Sequence, residues 1–165
     1  MVVGSVAGSF HGEPRTTVDI DIVIDPSAVS LARFVESLPT EDFYVAVEAA
    51  EEALARRTSF NVVEHATGWK IDLLLRKDRP FSVTEFGRRF AAPLLGRMTP
   101  IATAEDVVIA KLEWARAGES ERQLRDVAGI LAASGKTLDT SYLERWISEL
   151  DLGDQWRQVL NLEDR

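Results

Sequence analysis

Cysteine is absent, which excludes disulfides and thiolate-bound metal. Histidine is scarce: His11 and His65 alone cannot build a histidine metal centre. No apolar run approaches the roughly 18 residues of a membrane helix, and no charged-then-apolar leader opens the chain. These absences make a cytoplasmic protein with no membrane partner the simplest expectation. Positive charge is in deficit, with 19 Lys and Arg against 27 Asp and Glu for a net charge of −8, which argues against a surface that coats nucleic acid. Internal repeats and low-complexity tracts are missing as well. What is present, 165 residues with 45% hydrophobic content, suffices for one well-buried domain carrying a helical appendage.

The chemistry concentrates between Gly4 and Asp25. From Val18 onward the residues alternate: Val18, Ile20, Ile22 and Ile24 share one side of an extended strand, and Asp19, Asp21, Val23 and Asp25 share the other. Asp19 and Asp21 therefore stand side by side, and like charges at that spacing repel unless water or a cation lies between them. Mg²⁺ or Mn²⁺ suits such a pair, because hard divalent ions prefer carboxylate oxygen; an acidic, solvent-facing strand is the competing account. An EF-hand loop does not fit, since Ile20, Ile22 and Val23 fill positions that need ligands and glycine. Upstream, Val2-Val3-Gly4-Ser5 reads as the end of a short apolar strand and a tight turn. There glycine lets the backbone approach a phosphate, which the amides and the Ser5 hydroxyl bind. Gly8-Ser9 repeats the pair in the helical turn expected to follow. Arg15, just ahead of the Asp strand, offers its guanidinium either to a phosphate or to a salt bridge.

Beyond that strand, Asp25 is the expected N-cap, with Pro26 at the first position, of a helix over 26–38 ended by Pro39. A second helix is expected over 48–57, then strands over 59–63 and 69–75 joined through the Thr67-Gly68 turn. The second of these carries Asp72 amid aliphatic residues, where a carboxylate is unfavourable unless solvated, paired or metal-bound. Lys70, two residues earlier on the same face, is its nearest candidate partner. A helix over 82–90 and an irregular or extended piece over 94–101 follow. From Thr103 the chain turns helical. Thr103 and Asp106 form a capping box ahead of a helix to Gly118, and Ser120 and Gln123 form another ahead of a helix to Ala133. Two further helices are expected over 140–150 and 153–162. The organisation expected is a core over 1–101 with a helical part over 102–165 packed on it as one compact unit. Between Lys70 and Arg97 seven basic residues accompany three acidic ones, a stretch suited to a polyanion, although a solvated basic face gives the same balance. Residues 139–165 carry the opposite bias, seven acidic against three basic.

Apolar-Gly4-Ser5, then thirteen residues, then Asp19-Ile20-Asp21-Ile22 resembles the signature of the nucleotidyltransferase superfamily related to DNA polymerase beta. With Pro14-Arg15-Thr16-Thr17-Val18 ahead of the first aspartate, the stretch looks more narrowly like the small bacterial nucleotidyltransferase-like proteins grouped with AbiEii/AbiGii toxins. The resemblance implies an α+β fold, a small mixed β-sheet covered by helices with a helical C-terminal part. It implies metal-dependent transfer of NMP from an NTP substrate to an acceptor hydroxyl, in a toxin–antitoxin or stress setting. Asp19, Asp21 and, through the Ile71-Asp72-Leu73 match, Asp72 are then the catalytic carboxylates and the ligands of Mg²⁺ or Mn²⁺. Asp72 would also activate the attacking hydroxyl. Gly4, Ser5 and Arg15 become phosphate-binding residues. Lys111 and Asp126 are carried over as nucleotide-pocket residues, with Arg125-Asp126 matching part of an Arg-Asp-x-x-Asp motif. The acceptor stays open among an RNA 3′ end such as that of tRNA, a protein hydroxyl and an antibiotic-like small molecule. Only Met1-Val2-Val3 precede the Gly-Ser pair, leaving no residues for the helix such proteins carry ahead of their first strand. A late start, or replacement of that helix by another segment or a cognate partner protein, is the expectation this raises. A catalytically inactive nucleotide- or partner-binding module is the alternative reading, favoured by the short start and the acidic C-terminal region and disfavoured by the intact carboxylate triad.

Overall fold

The computed structural model describes residues 1–12, 14, 16–118 and 120–163, the last without its side chain. Strands β1 (Asp19–Ile24), β2 (Phe43–Val45), β3 (Ser59–Glu64) and β4 (Lys70–Leu75) form a mixed sheet in the order β1-β4-β3-β2. β1 runs parallel to β4 with Asp21 beside Asp72, and β3 is antiparallel to both β4 and β2. Because side chains alternate along each strand, Ile22, Leu73, Leu75, Phe60 and Val62 share one face. Helices α2 (Ala28–Ser37) and α3 (Val47–Arg56) cover it, burying Leu31, Ala50 and Ala53 against those residues. The opposite face presents Asp19, Asp21, Lys70 and Asp72, with Asn61 next to Asp72 on β3.

A second, larger core lies beyond that face. It is built by α1 (Gly4–His11), α4 (Pro80–Arg88), the hairpin of β5 (Phe90–Leu94) and β6 (Arg97–Ile101), and helices α5 (Ala104–Gly118), α6 (Glu121–Ser134), α7 (Thr140–Glu149) and α8 (Gly153–Glu163). Ile101, Leu112, Ile130 and Trp146 are fully buried at its centre, while Val23 and Leu74 of the sheet pack against it. Met1–Val3 ties the two sheets together. The Val2 N–H donates to the Pro100 carbonyl (2.7 Å) and the Val2 carbonyl accepts from Ala102 N–H (3.0 Å). On the other side, Val3 N–H donates to the Asp21 carbonyl (2.9 Å) and Val23 N–H to that of Met1 (2.8 Å). Met1–Val3 is thus a buried, extended segment lodged between β1 and β6. Among the described residues no helix is long and apolar enough to cross a membrane.

The α+β fold with a small mixed sheet is the one expected, and several local features differ. Ser27, not Asp25, caps α2: its Oγ accepts from Ser30 N–H at 3.2 Å, while Asp25 is drawn to Arg57 and Arg76 at 2.7 and 2.8 Å. The helix expected over 82–90 begins at Pro80, whose missing N–H is harmless in a first turn, and stops at Arg88 because Phe90 enters β5. The 94–101 piece is the turn and second strand of a hairpin, its Leu95-Gly96 turn in the left-handed region at φ 50° and 77°. Strand β2 is three residues long, too short to show a period in the sequence.

Candidate active site

The parallel pairing of β1 and β4 sets Asp21 beside Asp72 and Asp19 beside Lys70. All three carboxylates line a cavity of about 610 Å³ between the open sheet face and α4 and α5, within the size range of small-molecule sites. Gly4 and Ser5 line it too, as the first turn of α1 rather than as a turn of their own. Gly4 lies in the left-handed region at φ 61°, and a Cβ there would overlap the Asp21 carboxylate. Glycine is therefore required by the backbone and by the close approach of the acid. The Ser5 backbone N–H donates to Asp21, so the positive end of α1 faces that carboxylate.

Charge in the cluster is only partly balanced. Burial raises the Asp21 pKa above the ordinary carboxylate value, and Asp72 and Asp19 raise it further, against the pull of the Ser5 N–H and Lys70. Lys70 Nζ lies 2.9 Å from Asp72 Oδ2 and 4.0 Å from Asp19 Oδ1, and its own pKa is raised, chiefly by the hydrogen bond to Asp72. One ammonium against three carboxylates leaves Asp21 short of positive charge. The donor set, hard oxygens throughout, suits Mg²⁺ or Mn²⁺. Among the described residues no three acidic or histidine side chains are gathered as a ready-made metal cluster. Mg²⁺ does not require one, because it commonly takes one or two protein carboxylates and completes its shell with water and phosphate oxygen. The aspartates fit such an ion once Lys70 yields to it.

Lys111 is buried, 4% exposed, where a lysine on that helix is ordinarily solvated; it lines the same cavity. Its Nζ donates to Asp126 Oδ2 at 2.7 Å and to Gln123 Oε1 at 3.1 Å. Gly8 makes room for it, since a Cβ there would lie 2.9 Å from Lys111 Cε. Gln123, expected to cap α6, is engaged with Lys111 instead, and the Ser120 side chain makes no cap bond. Asp126 does not line the main cavity; it borders a smaller one of about 150 Å³ with Ser9 and Gly129. Arg15 lies outside the described residues. Much of the basic stretch is engaged internally: Arg76 with Asp25 and Asp78, Arg79 with Glu113, and Arg88 with Glu105 and Asp106.

Two groups at the site escape sequence reasoning. Arg79 forks onto Glu113 of α5, with Nη1 and Nη2 each 2.6 Å from a carboxylate oxygen. Glu85 of α4, 8% exposed, lines the cavity and meets no hydrogen-bond partner among the described residues. Burial, and then the Asp106 charge, push its carboxyl up to about 8 against the pull of Arg79. The signal in the sequence is helical spacing: Glu85 falls four residues after Phe81, on the same buried face.

A mixed sheet covered by helices on one face, with a carboxylate-lined cavity on the other, defines an α+β protein of the nucleotidyltransferase-like fold class. Among solved structures, the chain is similar to an antigenic nucleotidyltransferase-like protein from Paracoccidioides brasiliensis, with a TM-score of 0.58 and 14% identity over 94% of this chain and 83% of that one. At that identity the likeness speaks for the fold alone. No protein-family model matches the sequence, and no curated protein matches it.

Proposed function

We propose that the chain is a metal-dependent nucleotidyltransferase that moves NMP from an NTP to an acceptor hydroxyl. The observation that carries this reading is the placement of Asp19, Asp21 and Asp72 on one open face, beside the N-terminus of α1, in a single cavity. The three aspartates would hold Mg²⁺ or Mn²⁺, which when bound supplies charge neutralisation on the transferring phosphoryl group. Positioning is the work of the chain itself. The first turn of α1 at Gly4-Ser5 offers its positive end to the phosphates. Asp72 takes the proton of the acceptor hydroxyl as that oxygen bonds to the α-phosphorus and the bond between α-phosphorus and bridging oxygen breaks, releasing pyrophosphate. Asp72 must first exchange Lys70 for the acceptor, and the freed ammonium then pairs with a phosphate oxygen. An RNA 3′ end is the acceptor class the motif resemblance favours, in a toxin–antitoxin or stress setting with a cognate partner protein. A protein hydroxyl competes with it, because so many arginines of the basic stretch are paired internally.

The test is incubation with each α-labelled NTP, Mg²⁺ or Mn²⁺, and an extract of RNA and protein. Label on either macromolecule, absent with Asp19→Asn/Asp21→Asn, is the expected result. A second reading, a nucleotide-binding module without turnover, draws support from the Lys70 contacts to Asp72 and Asp19. Binding of metal and nucleotide with no label moved to any acceptor would favour that module.

A further inference from the structure

Nucleotidyl transfer as read above accounts for the sheet side of the cavity and leaves its helical wall without a role. That wall mixes apolar side chains with charged ones. Ala110, Trp114 and Ala117 of α5 line it at helical spacing, so small residues one turn to either side flank an indole that is 63% exposed. Beside α5 runs α4, bridged to it by Arg79–Glu113 and Arg88–Asp106, with Phe81, Ser82 and Glu85 lining the cavity. Charged neighbours here are matched to one another: Arg79 gives its fork to Glu113 and its Nε to Ser82 Oγ (2.9 Å), and Lys111 donates to Asp126 and Gln123.

Glu85 differs. Glu85 as a residue is 8% exposed, and its carboxyl borders the cavity with no hydrogen-bond partner among the described residues. A largely buried carboxyl that the protein leaves unpaired and turns toward a cavity points to a ligand that completes it. A nucleotide whose phosphates meet Asp19, Asp21 and Asp72 leaves its sugar and base for the helical wall. We propose that Glu85 reads the hydrogen-bonding edge of the nucleobase, with Trp114 presenting an apolar surface beside it. The proposal rests on the nucleotidyltransferase reading and adds to it the residue that recognises the base.

The carboxyl faces Asp106 and Glu113 of α5 and Arg79 at the start of α4, and burial with Asp106 holds it largely un-ionised near neutral pH. In that form it offers one O–H donor and one acceptor, which meet any base edge presenting an acceptor beside an N–H. Ionised, it only accepts, and then matches the two adjacent N–H groups of guanine better than the edge of adenine.

Equilibrium dialysis of ATP, GTP and ribose 5-triphosphate with Mg²⁺ tests this on the full chain, ribose 5-triphosphate reporting the phosphate and sugar contribution alone. Glu85→Leu should weaken ATP by about tenfold while leaving ribose 5-triphosphate unchanged, and Glu85→Gln, which keeps one donor and one acceptor, should retain most of the affinity. Raising the pH from about 7 to about 9 should shift wild-type preference from ATP toward GTP, and that shift should vanish in Glu85→Gln. Equal weakening of ATP and ribose 5-triphosphate in Glu85→Leu, or an unchanged pH response in Glu85→Gln, overturns the proposal. If the triphosphates bind and Asp21→Asn abolishes that binding while the base adds nothing, the Glu85 proposal alone fails. Absence of binding by all three ligands sinks both this proposal and the reading beneath it.

Discussion

Asp21 carries its charge where burial and two neighbouring carboxylates disfavour it, and its raised pKa makes that charge a cost to the fold. Asp21→Asn should therefore raise the melting temperature at neutral pH while abolishing label transfer. Because the folded pKa is raised, the gain belongs to the range above the unfolded carboxylate value and shrinks as the pH falls through it. Glu85 follows the same sign with a wider window. Its carboxyl is pushed from 4.5 up to about 8, so fold stability declines as the pH rises between those values. Glu85→Gln should stabilise by about 3 kcal/mol near pH 7 and by almost nothing near pH 4, read by urea denaturation at both; a gain independent of pH would contradict the assignment. Asp19 and Asp21 are legible in the sequence because strand alternation places them together without further information. Glu85 is not, because its burial is set by helices packed on it from distant parts of the chain.

At the scale of the element, α1 shows how a motif is visible before its geometry is. The Gly4-Ser5 pair stands out in the sequence, yet reads as a turn after a strand, whereas it starts a helix whose first amides face an acid from the neighbouring strand. The left-handed φ at Gly4 and the missing Cβ decide the matter. Gly4→Ala should cost about 1–2 kcal/mol from backbone strain and should reduce label transfer further by displacing Asp21. Gly8→Ala should be milder, since its Cβ meets the flexible end of Lys111. Denaturation and transfer assays on the two variants check the order; equal losses would mean that the Asp21 contact has no special part. Helices α5 to α8 lie close to where apolar periodicity and caps place them. The hairpin turn at Leu95-Gly96 is missed because a leucine with positive φ carries no sequence signal.

In the molecule as a whole, two cores meet across the sheet, and the cavity opens between the sheet face and the helical part. Met1–Val3 is the joint, hydrogen-bonded to β1 on one side and to the end of β6 on the other. Val2→Pro, which removes the donor to Pro100, should cost more than about 2 kcal/mol in thermal melts followed by circular dichroism; a near-neutral effect would show that the joint contributes little. The parallel pairing of β1 with β4 is the step that strand patterns do not reveal, for it brings Asp72 to Asp21 past two intervening strands in the chain. On that pairing the functional reading depends. The direct test is transfer from doubly labelled ATP or GTP, one label at the α- and another at the γ-phosphate, with wild type and Asp72→Asn. The account predicts that the α-label alone reaches an acceptor, that the γ-label leaves in pyrophosphate, and that Asp72→Asn stops both. Transfer of the γ-label, or α-transfer undiminished in Asp72→Asn, would contradict it.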